Sequence, residues 1–210
     1  MRTPGIVPIR FATLGCCLLI TSCGPRPVEL GFWFDPIAYQ SPRIGEPISA
    51  VELATIDRVA REEIARAFQE FEVTVTANHD ARYRVRVAPE IKDDRLLRGG
   101  VVPGKSHAVA GFGGSGSVNF GYVANGAMVF APPDASRSSI IESIGRGIGR
   151  VAVHEFAHQL LPKAPVDGST DPRSYEGGSA ATIEGYYGEI HWDLARPELE
   201  RRIPLRRGPL

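Results

Sequence analysis

The sequence predicts an α+β domain built around a small mixed, twisted sheet. Two helical patterns carry that expectation: an amphipathic run from Leu53 to Phe71, and a second helix over 136–161. Between them lie short alternating or glycine-punctuated stretches of strand length. Hydrophobic residues make up 43% of 210, enough for one packed core. The 24 basic and 24 acidic residues cancel, so the basic excess of a nucleic-acid binder is missing, and no partner of that class is expected.

Arg2 and Arg10 precede or flank a short apolar stretch, Phe11 to Ile20, and no acidic residue occurs before Glu29. Residues 1–22 therefore read as an export signal, too short to span a bilayer. The stretch Ile20-Thr21-Ser22-Cys23 resembles a bacterial lipobox. That resemblance implies cleavage before Cys23, acylation of its thiol, and a mature chain lipid-anchored at the periplasmic face of the cell envelope. Gly24 after the cysteine favours the outer membrane on the same analogy. Cleavage would leave 188 residues, a net charge of −2 and no thiol free to pair. Residues 23–47 hold five prolines and few helix formers, and are expected to form an extended tether.

From Pro47 the pattern turns helical. Ser49 is a candidate N-cap, and Leu53, Ile56, Val59, Ala60, Ile64, Ala67, Phe68 and Phe71 recur at helical spacing. Asp57, Arg58, Arg61, Glu62 and Arg66 form the solvated face. Val73–Thr76 reads as a strand. Tyr83, Val85 and Val87 alternate with Arg82, Arg84 and Arg86 as a half-buried strand with a solvated basic face. Further strands are expected at 108–110, 118–120 and 127–130. The glycine-rich segment 111–116 lacks the lysine and hydroxyl residue of a phosphate loop. Pro132-Pro133-Asp134 stops the last strand and caps the helix over 136–161. Within it Gly145, Gly147 and Gly149 mark close packing against a neighbour. The C-terminal stretch reads as a helix-rich cap with aromatic core residues, ending in solvated arginines (Arg201, Arg202, Arg206, Arg207).

The second helix carries the chemistry. It ends His154-Glu155-Phe156-Ala157-His158, an HExxH arrangement. Histidines four apart on a helix project from one face and can grip a single ion. Glu155 sets a carboxylate beside the open coordination position, where it can act as general base on metal-bound water.

With its order of helix, strands and HExxH helix, residues 50–176 resemble a metzincin-type zinc protease, most similar to the matrixin group. Ser169–Ser174 is similar to the stretch that follows the third ligand in matrixins. Two hallmarks differ. The family has glycine three residues after the second histidine and a third histidine three further on; here those positions are Leu161 and Ala164. The family also has a methionine turn, and no methionine follows Met128.

The resemblance implies Zn²⁺ as cofactor and leaves several candidates for the third ligand. Asp167 matches the family's position relative to Ser169-Thr170-Asp171-Pro172. Asp171 faintly resembles the ligand of aspartate-type zinc proteases, Glu176 has the spacing of glutamate-type ones, and His191 is a remote option. Tyr175 reads either as an oxyanion donor or as a packed loop aromatic. The expected organisation is an export signal over 1–22, a tether over 23–47 and a zincin-like metallopeptidase domain over 48–210. The expected reaction is zinc-dependent peptide hydrolysis, with a peptide or protein substrate lying along an edge strand near Ser117–Val123. The alternative is a non-catalytic envelope lipoprotein that keeps the fold to bind a partner.

Overall fold

The chain enters the sheet almost at once. In the computed structural model, which describes residues 26–41, 44, 45, 47–93, 100–109, 112–161, 166–177 and 179–207, strand β1 spans Val28–Phe34. It lies inside a five-stranded sheet, parallel to β2 (Val73–Thr76) on one side and to β3 (Tyr83–Ala88) on the other. Leu30 and Phe32 are fully buried. The expected tether over 23–47 is thus corrected for 28–34, and the domain begins before residue 48. Flanking prolines masked a strand whose apolar and aromatic content (Leu30, Phe32, Trp33, Phe34) is strand-like. Residues 1–25, including the expected signal and Cys23, lie outside the described residues.

The sheet continues through β7 (Gly114–Asn119), parallel to β3, and ends at β6 (Gly104–Ala108), antiparallel to β7. The strand order is β2-β1-β3-β7-β6. A two-stranded antiparallel pair, β4 (Lys92–Asp93) with β5 (Gly100–Val101), stands apart from it. The edge strands are therefore β2 and β6, and β7 is interior. Residues 120–123 are helical, so the edge expected near Ser117–Val123 is misplaced. Helix α2 (Phe120–Val129) also replaces the strand expected at 127–130. Asn119 caps it by accepting from the Tyr122 N–H, and Phe120, Val123, Ala124 and Ala127 bury one helical stripe. A short apolar run has too little length to betray its period.

Helix α1 (Ala50–Ala67) starts at the expected Ser49, whose hydroxyl accepts from the Glu52 N–H while the Glu52 carboxylate takes the Ser49 N–H. Glu52 also accepts from the Arg137 guanidinium at 2.6 Å. Arg137 opens helix α3 (Arg137–Leu160), so one carboxylate ties the starts of both long helices together. The Arg137 hydrogen bond, helped by the Ser49 N–H, holds the Glu52 carboxyl down at about 2. Ser136 rather than Asp134 caps α3, and the helix stops at Leu160, two residues before Pro162.

The glycine spacing in α3 has a physical reason. A Cβ at Gly145 would stand 2.9 Å from the Ile56 carbonyl oxygen, and one at Gly149 would stand 2.7 Å from that of Ala60. The backbones of α1 and α3 thus meet where only glycine fits. The chain closes with a 3₁₀ turn (Ser179–Ala181), α4 (Glu184–Tyr187) and α5 (Arg196–Arg202). The Trp192 indole N–H donates to the Ala67 carbonyl at 2.7 Å, locking this tail onto the end of α1. Among the described residues no helix is long and apolar enough to cross a membrane.

Gly149→Ala tests the helix contact. Alanine gains about 1 kcal/mol of helix propensity, but overpacking against backbone costs about 1–3 kcal/mol. A net loss of stability in urea denaturation is expected.

Candidate metal centre

Helix α3 brings His154 and His158 one turn apart, with their Nε2 atoms 3.2 Å from each other. The return loop delivers Asp167 to the same point. Its Oδ1 lies 2.9 Å from His154 Nε2 and its Oδ2 3.5 Å from His158 Nε2. A tetrahedral zinc ion with bonds of about 2.0–2.1 Å spaces its donors about 3.3–3.4 Å apart. The three donors therefore fit one ion, and the imidazole and carboxylate chemistry suits it. Asp167 adopts φ +73°, a left-handed backbone that aspartate tolerates better than most residues. That turn swings its side chain back towards α3. At 69% exposure it leaves the triangle open to solvent on that side.

What aims His154 is a backbone carbonyl. Its Nδ1 donates to the Tyr175 oxygen at 2.9 Å, which presents Nε2 to the metal position. Tyr175 is itself fixed from three sides. Its N–H donates to the His191 carbonyl, its ring packs on Trp192, and its hydroxyl donates to Glu63 Oε1 at 3.2 Å. Glu63 accepts from Arg150 Nε at 3.1 Å as well, and both of these side chains are only 2% exposed. Arg66 takes the other carboxylate oxygen at 3.0 Å. Arg150 spends its remaining donors on the carbonyls of Glu184 and Gly188. Arg150 sits one turn before His154 on α3, so a single buried network sets both the helix and the loop that orients its first histidine.

Charge at the triangle is arranged for a cation. Burial works against a charged His154, but the Asp167 hydrogen bond, the Glu155 charge and the Tyr175 carbonyl outweigh it and raise its pKa. Asp167 is lowered, first by the His154 hydrogen bond. His158 is lowered by burial and by the neighbouring His154. The His154 Nε2 and Asp167 Oδ1 atoms that face each other are the ones a metal would need, so a proton and a metal would compete for them.

Glu155 lies under the edge strand. A Cβ at Gly104 of β6 would meet its carboxylate and a Val151 methyl, so glycine there leaves room for the Glu155 side chain in its present position. Ser106 of the same strand donates to the Glu155 backbone carbonyl at 3.1 Å. Gln159 adds a second clamp: its amide accepts from the Arg84 N–H and donates to the Arg84 carbonyl and Ser106 Oγ. The Glu155 side chain is 4% exposed, and its Oε2 is buried with no hydrogen-bond partner. Burial, the largest effect, raises its carboxyl to about 7.

The other candidates are engaged elsewhere. Glu176 is fully buried and accepts from the Ala195 N–H at 2.6 Å, from the Asp193 N–H and from Ser174 Oγ, which makes it the clasp of the return loop. Asp171 accepts from the Arg173 N–H and faces His191 at 3.5 Å, outside the triangle. The Tyr175 hydroxyl belongs to the Glu63 network and its ring packs on Trp192, which fits the packed-aromatic reading and not the oxyanion one; the atom that meets His154 is its carbonyl oxygen. A cleft of about 500 Å³ lined by Glu63, Arg66, Glu70, Arg150, Tyr175 and His191 does not include the triangle. Sequence reasoning missed Glu63 and Arg150, although both left a signal. Glu63 falls on the apolar stripe of α1, and Arg150 interrupts the apolar run Ile148 to Val153. No protein-family model, curated protein or solved structure matches this chain.

Two outcomes test this construction. Arg150→Met leaves the Glu63 charge buried with less compensation and is expected to cost about 3–5 kcal/mol in urea denaturation. Tyr175→Phe is expected to cost about 1–3 kcal/mol while metal affinity stays within about twofold, because the carbonyl that aims His154 remains. Glu155→Gln tests the buried carboxylate in metal-free protein. The folded-state pKa of about 7 exceeds the 4.5 of a free carboxyl, so wild type loses stability as pH rises between them. The variant does not titrate there, and its advantage should grow from near zero below pH 4.5 to at most about 3 kcal/mol above pH 7.

Proposed function

We propose that this protein is a zinc metallopeptidase with a zincin-like fold, tethered to the cell envelope through acylated Cys23. One observation carries the enzymatic reading: a buried carboxylate oxygen of Glu155 without a partner, one residue from the first histidine of a three-donor triangle. Buried polar atoms are satisfied almost everywhere in folded proteins, and an exception asks for a reason. A purely structural site would close with four protein ligands and has no use for such a group. The zincin-like assignment is supported by an HExxH helix packed against a mixed sheet whose antiparallel edge strand lies over the glutamate.

His154, His158 and Asp167 would hold the ion. Bound zinc supplies Lewis acidity, polarising the scissile carbonyl and lowering the pKa of water towards about 7. Glu155 takes the proton of the attacking water on its unpartnered oxygen and delivers it to the leaving amine. The buried, glycine-lined position under β6 keeps that carboxylate fixed and dry. A polypeptide substrate would lie extended along the outer edge of β6, adding as a further strand. The flanking Ser106 and Gln159 hold β6, β3 and α3 in one register, so peptide and base keep a constant separation.

The protein is expected to retain one zinc per chain, measured by metal analysis after dialysis. Asp167→Ala should weaken zinc binding by roughly a hundredfold, and Asp171→Ala by less than about threefold. Glu155→Ala should keep zinc yet lower peptide hydrolysis by about 10²–10⁴-fold. Retained zinc with hydrolysis absent in wild type would instead favour the non-catalytic partner-binding reading.

A further inference from the structure

The end of the sheet from which β1 departs carries an unusual surface. Parallel pairing aligns Val28 with Val73, Leu30 with Tyr83, and Tyr83 with Gly114, while antiparallel β6 brings Ala108 beside Gly114. The starts of β1, β2, β3 and β7 and the β6–β7 hairpin therefore share one end. At that hairpin Val109 and Phe112 are 68% and 75% exposed, and Phe112 donates its N–H to the Val109 carbonyl. At the other side of the same end Leu205 pairs with Phe71 just before β2 and is 52% exposed. Four strand spacings of about 4.8 Å separate the two sides, roughly 19 Å across.

Cations frame these apolar groups. Exposed Arg82 donates to the Phe112 carbonyl at 2.8 Å, and exposed Arg206 donates to the carbonyls of Glu70 and Val73. Of the acidic neighbours, Glu70 is paired with Arg196, Glu29 accepts from Thr76 and Asn78, and Glu72 stands just before β2. Apolar tips beside arginines are the chemistry of an anionic bilayer surface.

Chain length selects that partner over others. Arg26, at the foot of β1, lies only three residues after Cys23, at most about 11 Å of extended chain. An acyl group on Cys23 would hold this end of the sheet against the membrane and leave no room for a distant orientation. We propose that the end of the sheet bearing Val109, Phe112 and Leu205 is a membrane-docking surface, seated on the bilayer that holds the lipid anchor. This rests on the anchoring at Cys23. The orientation has a functional consequence. Gln159, next to His158, is bonded to Arg84 near the start of β3, so His158 lies towards this end, while the Glu155 carboxylate reaches Gly104 at the level of Val118. Substrates would be polypeptide segments lying close to the bilayer surface.

The test uses the full chain, processed and reconstituted in vesicles of phosphatidylethanolamine and phosphatidylglycerol containing brominated lipid. Phe112→Cys and Val51→Cys variants carry an environment-sensitive fluorophore on the thiol. Val51, 77% exposed at the start of α1, is the control at the opposite end, about 25 Å away along that helix. Mass spectrometry first reads acylation of Cys23. With the acyl group present, quenching at position 112 should exceed that at 51 by at least about threefold. Acylated protein with equal quenching at both positions would overturn the docking surface and leave the anchor intact. An unacylated Cys23 would overturn the anchor and the docking surface together, without touching the metal-centre chemistry.

Discussion

The buried pair of Glu63 and Arg150 is the constraint on which the histidine–aspartate triangle depends. Two charges removed from water are costly unless every remaining donor and acceptor is met. Here they are met. Glu63 takes Arg150, Arg66 and the Tyr175 hydroxyl, and Arg150 reaches the carbonyls of Glu184 and Gly188. The pair therefore couples α1, α3, the return loop and the segment around α4 at one point. Because Tyr175 is gripped from behind, its carbonyl stands where His154 needs it. The geometry of the metal position is thus set by contacts that touch no metal.

The same helix serves packing and chemistry by dividing its faces. Gly145 and Gly149 let it approach α1, while Glu155 and Gln159 approach the sheet over glycines in β6 and β7. His154 and His158 occupy the face left uncovered, where Asp167 can close the triangle. The glycine-rich stretch before α2 has no phosphate to cradle. Gly114 and Gly116 thin the sheet so that Gln159 and Glu155 can pack closely against it. Burying Glu155 with one carboxylate oxygen unpartnered costs the fold stability, a cost that the proposed general-base role would explain.

Much of this was legible in the sequence where a local rule settles the matter. The Ser49 cap, the extent of α3, the glycine packing stripe and the histidine pair all follow from spacing within one element. Asp167 was favoured through the return-loop resemblance, and its place in the triangle agrees. The failures lie where tertiary context decides. β1 was hidden among prolines, and its partners β2 and β3 lie about 45–55 residues away, which no local pattern reveals. A strand was expected close to β6, at 108–110, but nothing local showed that this strand, and not the stretch near Ser117–Val123, ends the sheet. α2 is short and apolar, which leaves its period ambiguous. Tyr175 packs as a loop aromatic, one of its two expected readings, but its carbonyl contact with His154 was not legible, since a sequence pattern speaks of side chains.

The central claim is that two imidazoles and one aspartate carboxylate form a preset zinc position with one coordination site left open. X-ray absorption at the zinc edge of the loaded protein tests it most directly. The account predicts two imidazole nitrogens and oxygen donors only, in a first shell of four or five atoms at about 2.0–2.1 Å, with one imidazole lost in His158→Ala. A shell closed by three or more imidazoles, or one unchanged by removing His158, would contradict it.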